Sequence, residues 1–299
     1  MSKLSLDQFE KAALFIKTTA RPLEQTLFAW EFEGGSSEAI WSEVKKFQNK
    51  DGGFGHGLES DFRCEESSAL ATAVGLHLLS DIGVTETEAT VEKGIQYLLN
   101  TFNQEKQGWQ IVPRAVENAP RAIWWNYSED WAWGNPTAEI IGLLHHYQNL
   151  VPADFLEEIT SRALNYLNNL TTYEPHELLS FLKLYKQLPA SQQAVIFQKL
   201  SDILKECVTT DSNQWDSYSL QPLQVVSTPN SDFYDLFKET IPENLTYVIQ
   251  KQTKDGYWNP TWQWGQFEKE WEVAKQEWQG VLTLANLKIL RAFNALETS

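Results

Sequence analysis

A glycine–aromatic turn recurs three times in this chain, each time at the end of a helical stretch, and it restricts the fold to one assembled from repeated helical hairpins. The copies are Phe47-Gln48-Asn49-Lys50-Asp51-Gly52-Gly53-Phe54, Phe102-Asn103-Gln104-Glu105-Lys106-Gln107-Gly108-Trp109 and Ile249-Gln250-Lys251-Gln252-Thr253-Lys254-Asp255-Gly256-Tyr257-Trp258, with a fainter echo at Asp211-Ser212-Asn213-Gln214-Trp215. Glycine lets the chain turn back after a helix, and the aromatic packs on the helix end it has just left. The first glutamine of each copy is placed to bond the backbone groups freed there. Asp51-Gly52 alone would be an ordinary turn, but three copies in register with helices define a unit.

Apolar spacing divides the chain into six such units of about 50 residues, each a pair of helices. The first members are expected near 6–20, 37–48, 88–102, 153–170, 191–208 and 232–251, and the second members near 22–33, 66–80, 136–150, 175–188, 216–227 and 276–294. The second set is richer in small residues, as in Ser67-Ser68-Ala69-Leu70-Ala71-Thr72-Ala73-Val74-Gly75, which suits helices that must approach closely. The expected fold class is all-α, an α6/α6 toroid with inner and outer rings, because closure removes the need for capping repeats. No Pro/Gly/Ser-rich linker interrupts the chain, so residues 1–299 are read as one domain.

The repeats resemble the QW motifs of the terpenoid cyclase and protein prenyltransferase superfamily, and the resemblance spans nearly the whole chain. It implies the toroid and a ligand in a central cavity. It does not select the chemistry, since one toroid hosts cyclases, transferases, sugar-processing enzymes and non-enzymes. Class II terpenoid cyclases open an inner helix with Asp-x-Asp-Asp-Thr-Ala, whose middle Asp donates the initiating proton. The nearest match here is Arg63-Cys64-Glu65-Glu66-Ser67-Ser68, with Glu65 at the donor position and Arg63 where the first Asp belongs. There is no Asp-rich run for magnesium-dependent ionisation of a diphosphate. Nor is there the zinc ligand spacing a prenyltransferase needs among Cys64, Cys207 and the five histidines, so no metal and no cofactor is expected.

Charge and aromatic content narrow the partners. The formal charge is -16, from 40 acidic against 24 basic residues, so the chain has no basic face to spare for phosphates and nucleic acid is not an expected partner. No run approaches the length of a membrane span, and the acids in the first ten residues do not suit a secretory leader. With two widely separated cysteines, this reads as a cytoplasmic protein. The 13 tryptophans are unusual in falling largely in loops, as Trp124-Trp125, Trp131-Ala132-Trp133 and Trp262-Gln263-Trp264. Exposing them is costly, so they are expected to line a pocket or plug a barrel.

The candidate catalytic acids are Glu59 and Asp61, in the loop Gly55-His56-Gly57-Leu58-Glu59-Ser60-Asp61-Phe62-Arg63, with Glu65 and Glu66 as alternates. Each acid could instead cap a helix or pair with Arg63. Candidate ligand contacts are His56, Arg63, Trp124, Trp125, Trp131, Trp133, Asn135, Glu139, Glu177, Tyr218, Trp258, Trp262, Trp264 and Trp278, and Trp271 is expected to border the same pocket. Three functions remain open. A cyclase-like enzyme would hold an isoprenoid carbocation against aromatic faces. A carbohydrate-active enzyme would use paired carboxylates. A non-catalytic protein would bind a small ligand.

Overall fold

The computed structural model describes residues 2–297, so Met1, Thr298 and Ser299 of the expected domain lie outside it. Among the described residues there are isolated β-bridges but no strand, and the chain is all-α. Its helices are α1 (Leu6–Thr19), α2 (Pro22–Phe32), α3 (Ser37–Lys45), α4 (Ala69–Asp81), α5 (Ala89–Asn100), α6 (Gly134–His146), α7 (Ala153–Asn169), α8 (Pro175–Gln187), α9 (Ala190–Cys207), α10 (Pro222–Val225), α11 (Tyr234–Phe237), α12 (Ile241–Gln250) and α13 (Glu268–Ala292). Boundary signals explain many of these starts. Ser5 and Gln8 form a reciprocal capping box on α1, Ser68 caps α4, and proline opens α2, α8 and α10.

Two expected helices are corrected. The stretch 216–227 keeps only the one-turn α10, because Asp216-Ser217-Tyr218-Ser219 offers little apolar face and Pro222 cannot continue a helix begun before it. The stretch 232–251 breaks into α11 and α12 just before Pro242, which stands near the start of α12 where its missing N–H costs nothing. In the other direction, α13 begins at Glu268, eight residues before the expected start.

The chain divides into two compact units. The first comprises Met1–Glu43, Leu204–Gln263 and Glu268–Ser299; the second comprises Val44–Ile203 with Trp264–Phe267. In the second unit α6 packs most extensively on α8, and also on α4 and α7. Asn135 meets Ser180 and Glu139 meets Lys183, so α6 and α8 advance in the same direction. His77–Glu139 and Ser80–His146 show that α4 runs parallel to them, whereas Trp133–Tyr166 and His145–Thr160 show that α7 runs antiparallel. In the first unit α2 and α13 are parallel neighbours, with Arg21 near Glu277 at one end and Glu31 bonded by Lys288 and Arg291 at the other. Leu4 also pairs with the segment around Leu296, joining the two ends of that unit.

The repeats share an internal geometry that motif reading aligned imperfectly. The backbone N–H groups of Phe54, Trp109 and Trp258 donate to the hydroxyls of Thr72, Thr137 and Thr283 at 3.0, 3.3 and 3.2 Å, each on the following helix. The indoles of Trp109 and Trp258 donate back to Leu98 and Val248 carbonyls at 2.6 and 2.7 Å, satisfying the ends of α5 and α12. Trp215 does the same to Thr209 at 2.7 Å. Six residues before the aromatic, the Gln48 amide bridges the carbonyls of Gly52 and Thr90, and the Gln252 amide those of Gly256 and Gln8. The working glutamine of the last copy is therefore Gln252 rather than Gln250. The equivalent position in the middle copy is Asn103 rather than Gln104, and its shorter amide stays local, accepting from Lys106 N.

Candidate functional site

In the second unit the parallel helices α4, α6 and α8 present their N-terminal ends on the same side, and the loops leading into them carry most of the expected site residues. The loop before α4 is pinned at several points. Asn49 bonds the Glu65 carbonyl, the Ser67 hydroxyl and His56 Nε2, and Ser67 donates to Asp51 at 2.7 Å. Further along, Arg63 N and Ala122 N bond across to Pro120 and Asp61 carbonyls at 2.8 Å each, so residues 61–63 lie against 120–122. Ile123 N then bonds the Trp264 carbonyl at 3.0 Å, and Gln266 bonds the Arg121 carbonyl at 3.1 Å. Three stretches distant in sequence are thereby held together. The Arg121 guanidinium fixes the middle one by bonding Val116, Glu117 and Ala119 carbonyls.

Asp61 lies at the centre of this junction. It is buried, and its Oδ1 accepts the indole N–H of Trp264 at 2.8 Å; Trp264 is itself completely buried. Glu59 is half-buried and turns its Oε2 back onto the Asp61 amide at 2.8 Å. The Arg63 guanidinium lies over Gly57, where a side chain would meet it at 3.1 Å. Phe62 packs edge-on to Trp125 at 6.0 Å, and the Trp125 indole N–H is buried without an acceptor among the described residues. The alternates Glu65 and Glu66 are exposed. Glu66 accepts from the buried Cys64 thiol at 3.0 Å, which holds the carboxyl below its usual range, while burial and Glu66 together push the thiol up to about 12.

A second group gathers at the starts of α6 and α8. Glu177 is buried, and its Oε1 accepts from Gly134 N at 3.0 Å and from the Tyr166 hydroxyl at 2.7 Å. Burial raises its pKa and Glu174 adds to the rise, against the opposing bonds from Tyr166 and Gly134. The Trp133 ring lies 4.7 Å from that of Tyr166. Trp131 and Trp133 share the wall of a pocket of about 460 Å³ with Lys106 and Asp130. Asn135 accepts from Ser180 at 3.3 Å. One turn along, buried Glu139 is approached by Lys183 Nζ at 2.7 Å and His77 Nε2 at 3.0 Å, both on Oε1. Burial would raise its pKa, but Lys183 and His77 bring it down to about 2. His77 is thus a core histidine whose partner is a carboxylate.

Glutamine at position 177 keeps an oxygen for both donors and removes the buried charge. A carboxyl with a raised folded-state pKa weakens the fold above that value and has no differential effect below its unfolded value. Glu177→Gln is therefore expected to raise the melting temperature at pH 7 by roughly 2 °C. The gain should fade as the pH drops to about 4.5, as differential scanning calorimetry at the two pH values would show.

Other expected contacts are buried on helix ends, exposed, or packed on one another. Trp258 is buried on the end of α12, and Tyr218 is 68% exposed because the helix expected around it does not form. Trp124 is outward, 45% exposed. Trp262 and Trp278 pack edge-to-face at 5.1 Å in the first unit, and Trp271 is buried there on α13. The expected bowl is thus represented by one pocket wall carrying Trp131 and Trp133 and by the separate Phe62–Trp125 contact beside Asp61. Lys106, Asp130, Tyr166 and Lys183 were not legible as site residues, since each sits in a pattern that a solvated or amphipathic helix face also produces. Among the described residues no group of His, Cys, Asp and Glu has the geometry of a metal site, and no helix is long and apolar enough to cross a membrane. Comparison with protein-family models, curated proteins and solved structures found no match to this chain.

Proposed function

We propose that this chain is an α/α-toroid protein of terpenoid-cyclase type, acting on a small apolar or isoprenoid ligand with Asp61 as its acid. The observation that carries the reading is the buried Asp61 carboxyl accepting the Trp264 indole N–H at 2.8 Å, beside the Phe62 and Trp125 rings. The indole bond fixes the carboxyl in one orientation, and burial keeps water away from it. Transfer of its proton to an alkene carbon forms a C–H bond from the π pair and leaves a carbocation at the neighbouring carbon. Aromatic faces stabilise such a cation. Ring closure followed by loss of a proton gives an isomer of the starting material, with no oxidant or cofactor consumed. The toroid itself is supported by the parallel runs α4–α6–α8 and α2–α13 and by the repeated Thr-to-aromatic bonds. Glu59 and Asp61 lie on one loop with the Glu59 carboxyl turned onto the Asp61 amide, rather than facing each other across a groove, which argues against a paired-carboxylate glycosidase.

Incubation with squalene and with geranylgeraniol tests the proposal. The expected product is a cyclic isomer of unchanged mass by gas chromatography–mass spectrometry. Asp61→Asn should lower its yield by about 10²-fold or more, with the melting temperature close to wild type. Failure of the wild-type protein to isomerise either compound, or an equal yield from the Asn variant, would overturn it.

A further inference from the structure

We infer that the Trp131–Trp133–Tyr166 strip in the second unit is a carbohydrate-binding site, distinct from the Asp61 junction and independent of the function proposed there. Two pockets adjoin the strip. One, of about 460 Å³, has Trp131, Trp133, Lys106 and Asp130 in its wall. The other, of about 370 Å³, has Tyr166 with Arg162, Asn165 and Asn169. The Trp133 and Tyr166 rings, one from each pocket wall, are 4.7 Å apart. Both volumes fall at the lower end of the range for small-molecule sites.

The strip is held in place before any ligand arrives. A side chain at Gly108 would meet Trp133 Nε1 at 3.0 Å and the far edge of Trp131 at 3.1 Å, so both indoles rest on the turn of the second repeat. Trp133 Nε1 donates to the Gln107 carbonyl at 2.8 Å, and the Tyr166 hydroxyl is fixed by Glu177. What these rings can offer a ligand is therefore chiefly their faces. Trp131 is half-buried, so part of its ring stays open to a ligand. Preorganised aromatic faces bind without the ordering cost that flexible side chains incur.

The polar groups around the strip decide between ligand classes. Lys106 approaches the Trp131 ring at 5.6 Å and Asp130 at 3.7 Å, so that rim carries both signs of charge and favours neither a simple anion nor a simple cation. On the other side Asn165 and Asn169 supply amides, each both donor and acceptor, and Arg162 adds a fork of donors. A ligand that satisfies all of this has apolar faces at ring spacing and hydroxyls around its edges. A short chain of sugar rings does so, stacking its C–H faces on the aromatics while its hydroxyls meet Lys106, Asp130 and the amides. A purely apolar isoprenoid would make no hydrogen bond to any of those polar groups.

The test is isothermal calorimetry, with tryptophan fluorescence in parallel, against cellotetraose, maltotetraose and a tetragalacturonate. Saturable binding of at least one is expected. Trp131→Ala should weaken it about tenfold, and Arg162→Gln severalfold. Trp131 stands at the surface, and circular dichroism would show that its variant folds; Arg162→Gln, on the exposed face of α7, gives a second readout if it does not. No saturable heat or spectral change with any of the three up to about 10 mM overturns the proposal, as does affinity unchanged in both variants. Because Asp61→Asn is expected to leave these sugars bound as in wild type, failure here and failure of the isomerase reading are separable.

Discussion

Replacing Trp264 by Ala is expected to destabilise the protein by about 5 kcal/mol, enough to leave a marginally stable chain partly unfolded. Two effects add. Trp264 is completely buried, and removing such a side chain costs about 3–5 kcal/mol through lost contacts and the cavity that remains. Its indole also donates to the buried Asp61, and depriving a buried carboxyl of a donor costs a further ~1–3 kcal/mol. Trp264→Phe separates the two, because it keeps most of the ring and removes the N–H; a loss of about 2 kcal/mol is expected. Urea titrations of both variants would measure the difference. If Trp264→Phe cost nothing, the hydrogen bond would not be what holds Asp61 in place. The same Phe variant should isomerise squalene poorly while remaining folded, because Asp61 then lacks the bond that orients it.

The second large effect is expected at the repeat turns. Gly52 and Gly256 have φ of 94° and 95°, in the region where a side chain is strained. A Cβ on Gly52 would overlap the Lys93 carbonyl, and one on Gly256 the backbone between Lys11 and Ala12, so neither clash can be relieved by turning a side chain. Strain of about 1–2 kcal/mol and overlap of about 1–3 kcal/mol place each Ala substitution near 3 kcal/mol. Gln107 occupies the equivalent position in the middle copy with φ of 57°, so Gln107→Gly is expected to be neutral or mildly stabilising by the same argument. Chemical denaturation of the three single variants checks the set, and a Gly52→Ala change tolerated within about 0.5 kcal/mol would contradict it.

Helix content was largely legible from sequence because it follows from apolar period and from turn residues, both of which are local. The helices that failed, around 216–227 and 232–251, are those where Pro222 and Pro242 sit inside an otherwise plausible window. The repeat was visible as a motif, yet its working positions were not. Gln252 rather than Gln250 reaches the next helix, and Asn103 rather than Gln104 holds the equivalent place, because register is set by the aromatic's bond to a threonine on another helix. At the site, Glu59 and Asp61 were picked out by the density of titratable groups on a glycine-shaped loop. Nothing local reveals that Trp264, 203 residues later, supplies the Asp61 donor. Likewise Glu139 was visible as an acid at a helix start, but Lys183 and His77, which hold it ionised, come from two other helices.

The distribution of the two units along the chain bears on the order in which a ribosome can complete them. The second unit is almost contiguous, Val44–Ile203, and its helices can pack as soon as that stretch has emerged. The first needs Met1–Glu43 to wait for Leu204–Gln263 and for α13, and the pairing of Leu4 with Leu296 forms only after Leu296 has emerged. The one late piece of the second unit is Trp264–Phe267, which carries the Asp61 donor. A nascent chain stopped short of Trp264 can therefore hold nearly all of that unit's helices while its central carboxyl still lacks the indole. Closure of the Asp61 junction thus waits for a four-residue segment from between α12 and α13, translated after every helix of that unit.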